Sequence, residues 1–258
     1  MTRLSRSDAV GADLSGPCRP CDRTDAGAGR HLRDLTFDTD SYTLCEVSAG
    51  EDLRLFSAGP AGPFANFAAL ESDLNTKGQT LAFAMNAGMF DEDLMPVGLY
   101  VEAGEQRKSI VTGDGPGNFG LLPNGVFCVA PVGATGPAFQ ILESRAFAAD
   151  PPDCWMATQS GPMLVIDGAL HPRFRRTSDS LNYRNGVGVS ADGGTAVFVI
   201  SNDVVNFDSF ARMFRDGLGV GQALFLDGSI SRIYAPQLGR SDIGFPIGPI
   251  VGVVEQGN

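Results

Sequence analysis

Short apolar runs bounded by Gly, Asn and Asp recur along the chain from about residue 35, and they predict strands rather than helices. The runs at 42–47 and 53–56 come first and are separated by the polar turn Gly50-Glu51-Asp52. Turn sequences at Asp167-Gly168 and Asp192-Gly193-Gly194 predict hairpins. Further strands are predicted at 80–85, 97–101, 163–166, 186–190, 196–200, 223–226 and 250–254, with another hairpin around Pro123-Asn124-Gly125.

Helical periodicity is confined to two segments. In the first, apolar residues stand at 64, 67, 70 and 74, and Gly78 predicts the end of the helix. In the second, Asp208 is the predicted N-cap, apolar residues stand at 210, 213 and 214, and Gly217 lies at the end. Two helices among many strands predict an α+β fold: a single domain with a large, mostly antiparallel or mixed β-sheet core and a few flanking helices.

The N-terminal stretch differs in composition from the rest of the chain. Residues 1–33 are polar and punctuated by Gly and Pro without any period, so they are predicted to form a disordered tail, and residues 34–258 a single domain. A secretory signal has an unbroken apolar stretch behind a basic start, and this N-terminus shows none. No run in the chain approaches the ~18 apolar residues that are needed to span a bilayer. We expect no membrane span, and a cytoplasmic chain as written, or a periplasmic or secreted one if the natural N-terminus differs.

The chain is acidic, with a formal net charge of −11 and a pI near 4.5. Such a surface repels phosphate backbones, which argues against nucleic-acid binding. An anionic small molecule remains compatible with it, because salt screens distant charges over about 8–10 Å and one arginine in a cleft can outweigh them. We therefore expect a small-molecule or glycan partner, whereas the oligomeric state is not determined by the sequence.

The sequence lacks the residues and motifs of several familiar kinds of active site. The chain has two histidines, His31 and His171, and no G-x-S-x-G, H-E-x-x-H or P-loop sequence. Cys18-x-x-Cys21 has no second pair, so we favour a passive tail over a zinc site. Cys128, inside an apolar run, is interpreted as a core residue rather than a nucleophile. No cofactor is predicted; a divalent cation held by carboxylates stays open, but no spacing supports it.

Polar clusters stand where the predicted apolar strands begin or end. The segment Asn86-Ala87-Gly88-Met89-Phe90 follows the strand 80–85. Asn86 offers both a donor and an acceptor, and Gly88 lets the backbone approach a ligand closely. The segment Thr158-Gln159-Ser160-Gly161-Pro162 precedes the strand 163–166, and three adjacent hydrogen-bonding side chains there are costly unless they bind something. A turn and a capped loop are the structural alternatives.

Two further clusters carry charge. Arg184-Asn185-Gly186 leads into a Gly-interrupted apolar strand, and a guanidinium fork suits a phosphate or carboxylate. Asp227-Gly228 ends the apolar strand 223–226, and a partly desolvated carboxylate has a raised pKa that suits acid–base or nucleophilic work. Ser231 follows close behind. A surface ion pair and an ordinary Asp-Gly turn are the structural alternatives.

Taken in order, these clusters resemble the motifs of the phosphodiester glycosidase family over about residues 80–254. The resemblance rests on Asn86-Ala87-Gly88-Met89-Phe90, on Ser160-Gly161-Pro162 followed by Asp167-Gly168, on Arg184 with Gly188, and on the segment 226–231, Leu-Asp-Gly-Ser-Ile-Ser. Ala87, Ser229 and Ile230 stand where the animal form of the family has glycines, and in this the chain is similar to a bacterial branch of the family. The added side chains are expected to narrow the cleft at these positions. The resemblance implies hydrolysis of a sugar joined through its anomeric carbon to phosphate, without a redox cofactor.

The resemblance also implies roles for individual residues. Asp227 is expected at the anomeric centre as nucleophile or acid–base group, Arg184 on the phosphate, and Asn86 as a hydrogen-bonding catalytic residue. A second carboxylate at about 5–9.5 Å would be Asp167 or Asp203. The expected substrate-binding residues are Gly88, Phe90, Thr158, Gln159, Ser160, Gly161, Asn185, Gly228 and Ser231. A glycoside hydrolase for a neutral linkage and a non-catalytic carbohydrate-binding protein are the alternative functions.

Overall fold

The computed structural model describes residues 31–228 and 230–257. The strands are β1 His31–Phe37, β2 Asp40–Ser48, β3 Leu53–Phe56, β4 Ala58–Gly59, β5 Gly62–Pro63, β6 Gln79–Asn86, β7 Tyr100–Glu102, β8 Glu105–Lys108, β9 Gly125–Val129, β10 Phe139–Glu143, β11 Met156–Ser160, β12 Met163–Ile166, β13 Ala169–Leu170, β14 Asn185–Val189, β15 Thr195–Ser201, β16 Gln222–Asp227, β17 Ile233–Ala235, β18 Arg240–Ser241 and β19 Ile250–Gln256. The helices are α1 Phe67–Asn75, α2 Ser144–Ala149 and α3 Phe207–Arg212, which continues into a π-helical turn at Met213–Gly217; a 3₁₀ turn spans Pro236–Leu238. Among these described helices, none has the length and apolar character needed to cross a membrane.

The strands form three large sheets. The first has the order β1-β2-β15-β14-β16-β12-β13, the second β10-β9-β11-β7-β8 and the third β18-β17-β6-β19-β3, while β4 and β5 form a separate small ribbon. Neighbouring strands pair antiparallel, for example β14 with β15 and with β16, and β19 with β6. The predicted α+β class with a mostly antiparallel core is therefore confirmed.

The core lies where the inner faces of the three sheets meet. Phe198 from the first sheet contacts Phe127 from the second and Phe83 from the third, with both ring-centroid distances at 5.7 Å, and all three rings are buried. A helix covers the outer face of each of two sheets: α3 packs Phe210 against Tyr42 in β2, and α1 packs against the third sheet. In these two sheets, alternation along the strands thus places one set of apolar residues inside and another under a helix.

The helix boundaries differ in part from those predicted. Asn66 caps α1, with its Oδ1 accepting from the Ala69 amide at 2.8 Å. The predicted cap of the later helix, Asp208, is wrong: the extended residue Asn206 caps α3, and Asp208 lies inside the helix and accepts from Arg212 Nε at 3.0 Å. Helix α2 was not predicted, since its six residues are too short to show a period.

Two predicted features near the start and middle of the chain also differ. Strand β1 begins at His31, so residues 31–33, assigned to the tail, pair with β2. Cys18 and Cys21, with the rest of the predicted tail, lie outside the described residues. The hairpin around Pro123-Asn124-Gly125 is wrong, because β9 starts at Gly125 and pairs with β10 and β11 instead.

A disulfide joins two of the sheet-bearing segments. Cys128 in β9 is bonded to Cys154, just before β11, with a Cα–Cα distance of 5.6 Å. Cys128 is buried in an apolar cluster, as the apolar run around it indicated, but its disulfide partner was not predicted. The covalent bond fixes the connection between β9 and β11, the strand that carries residues 158–160.

Candidate active site

Three strand ends from two sheets meet at one point and are joined by side-chain amides. Asn86 ends β6, Asn185 begins β14 and Asp227 ends β16. Asn86 Nδ2 donates to Asp227 Oδ2 at 2.9 Å, Asn185 Oδ1 accepts from the Asp227 amide at 2.6 Å, and Asn185 Nδ2 donates to the Asn86 carbonyl at 3.2 Å. The two buried asparagines therefore hold Asp227, Asn86 by its carboxylate and Asn185 by its backbone amide.

A β-bulge delivers Asp227 to this point. Asn185 pairs with Asp227 and Gly186 with Phe225, so Leu226 has no opposite residue in β14. Bulges commonly re-aim a side chain next to a functional site. Ser160 Oγ fixes the bulge by donating to the Leu226 carbonyl at 2.8 Å. Gly186 is required beside it, because a Cβ there would lie 2.7 Å from the Leu224 carbonyl oxygen.

The Asp227 carboxylate is partly desolvated. Burial raises its pKa to about 6, and this effect outweighs the lowering by the hydrogen bonds from the Gly228 amide and from Asn86. A pKa close to neutral lets a carboxyl group exchange a proton or act as an anion at physiological pH. The geometry therefore gives this predicted residue the properties of a reactive group.

The chain folds back tightly after Asp227. The Ser231 amide donates to the Gly228 carbonyl at 2.7 Å, and Ser231 Oγ donates to the Asp227 carbonyl at 3.0 Å. Asn86 Oδ1 accepts from the Arg232 amide at 2.8 Å. One buried amide thus contacts both the carboxylate and the segment that follows it.

The polar residues of β11 use their hydrogen bonds inside the protein. Thr158 Oγ1 donates to the Ala87 carbonyl at 2.9 Å. Gln159 Oε1 accepts from two backbone amides, and its Nε2 donates to the Val111 carbonyl and to Ser144 Oγ. These side chains brace the strand ends, so their substrate contacts stay a prediction.

The predicted glycines and Phe90 also lie in close packing. A Cβ on Gly161 would lie 2.5 Å from Asn124 Cβ, and one on Gly88 would lie 3.0 Å from Thr158 Oγ1. Phe90 is half-buried and packs against Gly248, where a Cβ would come within 2.4 Å of it. Their contacts to substrate likewise stay a prediction.

Arg184 is buried, and its side chain contacts aromatic rings and backbone carbonyls. Its guanidinium lies 3.7 Å from the centre of the Phe207 ring, Nε donates to the Val205 carbonyl at 2.8 Å, and Nη2 donates to the Ser180 carbonyl at 2.9 Å. Burial lowers its pKa to about 10. These bonds hold the loop before β14 onto α3, and the predicted role of Arg184 at phosphate stays a prediction.

A pocket of about 620 Å³ adjoins the segment that follows Asp227. Its walls come from that segment, from β18 and the loop after it, from the end of β15 and from the loop before β14: Tyr183, Ile200, Ser201, Asn202, Ile230, Ser231, Arg232, Arg240, Ser241, Asp242, Ile243, Gly244 and Phe245. Sequence reasoning missed Arg232, although it directly follows the last motif. Its position next to Ser231 was the available signal.

The two candidates for a second carboxylate lie in different places. Gln222 Nε2 donates to Asp167 at 2.6 Å, and about 16 Å of extended strand separates Gln222 from Asp227, so Asp167 lies at the opposite end of β16 from Asp227. Asp167 is therefore too distant to act with Asp227. Asp203 is exposed and accepts from the Ser41 amide at 2.8 Å. Within residues 31–228 and 230–257, no group of three or more His, Cys, Asp and Glu side chains could hold a metal ion.

Comparison with known proteins identifies relatives in sequence and in fold. The chain is 41% identical over 204 residues to an uncharacterized protein of Escherichia coli K12, YigE, covering 79% of this chain and 76% of YigE. The catalytic domain of zebrafish N-acetylglucosamine-1-phosphodiester alpha-N-acetylglucosaminidase, auto-inhibited by its pro-peptide, has the same fold with a TM-score of 0.57 and 15% identity, covering 87% of this chain and 82% of that one. A putative exported protein of Burkholderia pseudomallei matches with a TM-score of 0.52 and 12% identity, covering 83% and 74%.

A family model provides the assignment. The phosphodiester glycosidase model matches residues 79–243, a range that begins with β6 and includes all three strand ends at the candidate site. The matched range is more than half of the chain, and the resemblance in the motifs is confirmed. The chain belongs to the phosphodiester glycosidase family.

Proposed function

We propose that the protein hydrolyses a glycosyl phosphodiester, with Asp227 acting at the anomeric carbon. The observation that carries the proposal is the desolvated Asp227 carboxylate, with a pKa of about 6, held at the meeting point of three strand ends. Family membership supports a hydrolase, and a phosphorylated glycan is the substrate class in keeping with it. The name of the zebrafish enzyme describes cleavage of a sugar from a 1-phosphodiester, which is the same linkage.

The proposed reaction breaks the bond between the anomeric carbon and the phosphate oxygen. The bonding electrons leave with the phosphate as a phosphomonoester, and a water oxygen ends on the anomeric carbon. A phosphomonoester departs as a stable anion, since its second proton is lost near pH 6, so the leaving group needs no general acid. The remaining task is attack on carbon, and an ionised Asp227 serves it either as nucleophile or as the base that takes a proton from water.

Asn86 acts as a positioning residue in this scheme. Its Nδ2 donates to the carboxylate at 2.9 Å, which favours the ionised form and fixes its direction. Its own side chain is buried. Asn185 supports the same geometry through the Asp227 amide.

A product analysis tests the proposal. The purified protein is incubated with sugar 1-phosphodiesters, sugar nucleotides and neutral nitrophenyl glycosides, and products are identified by mass spectrometry and NMR. We expect free sugar and phosphomonoester from the phosphodiesters, with turnover reduced about 1,000-fold or more in Asp227→Asn. Cleavage of the neutral glycosides alone would identify a plain glycoside hydrolase, and sugar binding without turnover would identify a carbohydrate-binding protein.

The pH profile tests the role of Asp227 separately. Because the ionised carboxylate of Asp227 is the reactive form in this scheme, kcat/KM should rise with pH through about 6 and level off above it. A profile that falls through the same pH would assign Asp227 as a general acid and refute the proposed role.

A further inference from the structure

We infer that the pocket beside Asp227 binds the phosphate group of the substrate through Arg232; this inference rests on the proposed function for the identity of the anion. None of the sequence motifs assigned Arg232. Arg232 is one of the residues that line the pocket, whereas the guanidinium of Arg184 donates to the carbonyls of Val205 and Ser180.

Arg232 is a buried cation, and the aspartate that acts on its charge, Asp242, is already paired with Arg240. The residue is 6% exposed, and within the described part of the chain its guanidinium makes neither a hydrogen bond nor an ion pair. Its backbone amide donates to Asn86 Oδ1, so the position of the residue is fixed. Burying an unpaired charge is costly, and a bound anion would remove most of that cost.

The neighbouring charged residues satisfy one another and leave Arg232 unmatched. Arg240 donates to both oxygens of Asp242, at 2.9 and 3.1 Å, and the Ile233 amide donates to the same carboxylate. Arg240 Nη1 is also engaged, donating to Thr43 and Asn202. The ionised groups lining the pocket are two arginines and one aspartate, so its net charge is positive in a protein whose overall charge is −11.

The loop after β18 is shaped around the guanidinium. Gly244 has φ +150°, and a Cβ at that position would lie 2.9 Å from Arg232 Nη2. A side chain there would displace the guanidinium or strain the backbone. Burial also lowers the pKa of Arg232, although Asp242 opposes this effect. The planar fork of a buried arginine matches two oxygens of a phosphate.

The pocket is connected to Asp227 through Asn86. The Asn86 side chain donates to the Asp227 carboxylate and accepts from the Arg232 amide, and the pocket is lined by Ile230, Ser231 and Arg232, which follow Asp227 in the chain. The inference places the phosphate on Arg232 and the sugar toward Asp227. At the rim, Tyr183 is 47% and Phe245 78% exposed, which provides apolar surface for the group on the far side of the phosphate.

Calorimetric titration of the intact protein with inorganic phosphate tests the inference. We expect saturable binding that is about 10- to 150-fold weaker in Arg232→Gln, the range for loss of one charge-assisted hydrogen bond. Arg232→Lys keeps the positive charge but loses the planar guanidinium, so its affinity for phosphate should lie between those of the wild type and Arg232→Gln. The matched control is Arg175→Gln, which removes the same charge from an exposed residue outside the pocket and should bind as the wild type does.

The outcomes separate this inference from the proposed function. Phosphate binding requires no turnover, so a protein that cleaves no phosphodiester can still bind phosphate through Arg232. The inference would be overturned if the wild type did not bind phosphate. It would also be overturned if Arg232→Gln bound phosphate as tightly as the wild type, with circular dichroism showing that both proteins are folded. Loss of binding in Arg184→Lys with Arg232→Gln unaffected would assign the phosphate to Arg184 instead.

Discussion

The desolvated carboxylate of Asp227 should make the folded protein less stable as the pH rises, and Asp227→Asn should remove this dependence. In the folded protein its pKa rises from 3.8 to about 6, and at about 1.4 kcal/mol per pKa unit the difference corresponds to about 3 kcal/mol. The unfolded chain binds fewer protons than the folded one between these pH values. Stability therefore falls with pH through this window, and the cost is fully present above pH 6.

Urea denaturation of the wild type and of Asp227→Asn from pH 4.5 to 7 measures this contribution. The difference in free energy of unfolding, wild type minus variant, should decrease by about 2 kcal/mol over this range, because the remainder of the effect lies at lower pH. This difference cancels the contributions of groups that titrate alike in both proteins. Replacing the carboxylate by an amide adds an offset to the free energy of unfolding that does not vary with pH.

Asp192→Asn is the matched control for the same measurement. Asp192 is exposed, and hydrogen bonds from Ser190 and from the Gly194 amide hold the pKa of its carboxyl below the usual value. It is ionised in the folded protein throughout the range, so its difference curve should stay nearly flat. A flat curve for Asp227→Asn as well, or one that rises with pH, would refute the desolvation of Asp227.

The disulfide, a helix cap and a buried amide each give a stability change that denaturation measures. Replacing Cys128 and Cys154 together by Ser frees a loop of 26 residues and should lower the free energy of unfolding by about 3–4 kcal/mol; an unchanged value under oxidising conditions would argue against the bond. Asn206→Ala should cost about 1–2 kcal/mol and Asp208→Ala less, and the reverse order would contradict the cap assignment. Gln159→Leu should cost about 3 kcal/mol or more because several buried groups lose their partners, whereas normal stability with a raised KM would favour a substrate contact.

Features that depend on neighbouring residues were predictable from the sequence. The hairpin between β12 and β13 turns at Asp167-Gly168, where both residues have positive φ, and Asp-Gly is the dipeptide that tolerates this conformation. The strand bounds of β3 and β16 followed the apolar runs within one residue. The fold class followed from the excess of such strands over helices.

The meeting of Asn86, Asn185 and Asp227 was predictable only as a set of polar residues at strand ends. Their family resemblance indicated one site, but the hydrogen bonds among them depend on how two sheets pack together. The bulge at Leu226 is equally non-local, since it is defined by the register of β14 against β16. The pKa of Asp227 follows from that packing, because burial is its main cause.

The two arginines show most clearly what tertiary structure alone decided. Arg184 belongs to one motif and Arg232 directly follows another, and their sequence neighbourhoods do not distinguish a structural guanidinium from one that lines a pocket. Phe207 and the Val205 carbonyl, brought by α3 and the loop before it, occupy Arg184, while Arg240 neutralises Asp242 and leaves Arg232 unmatched. Apolar period and turn chemistry are local and can be read along the chain; the partner of a buried charge is set by residues that only the folded sheets bring together.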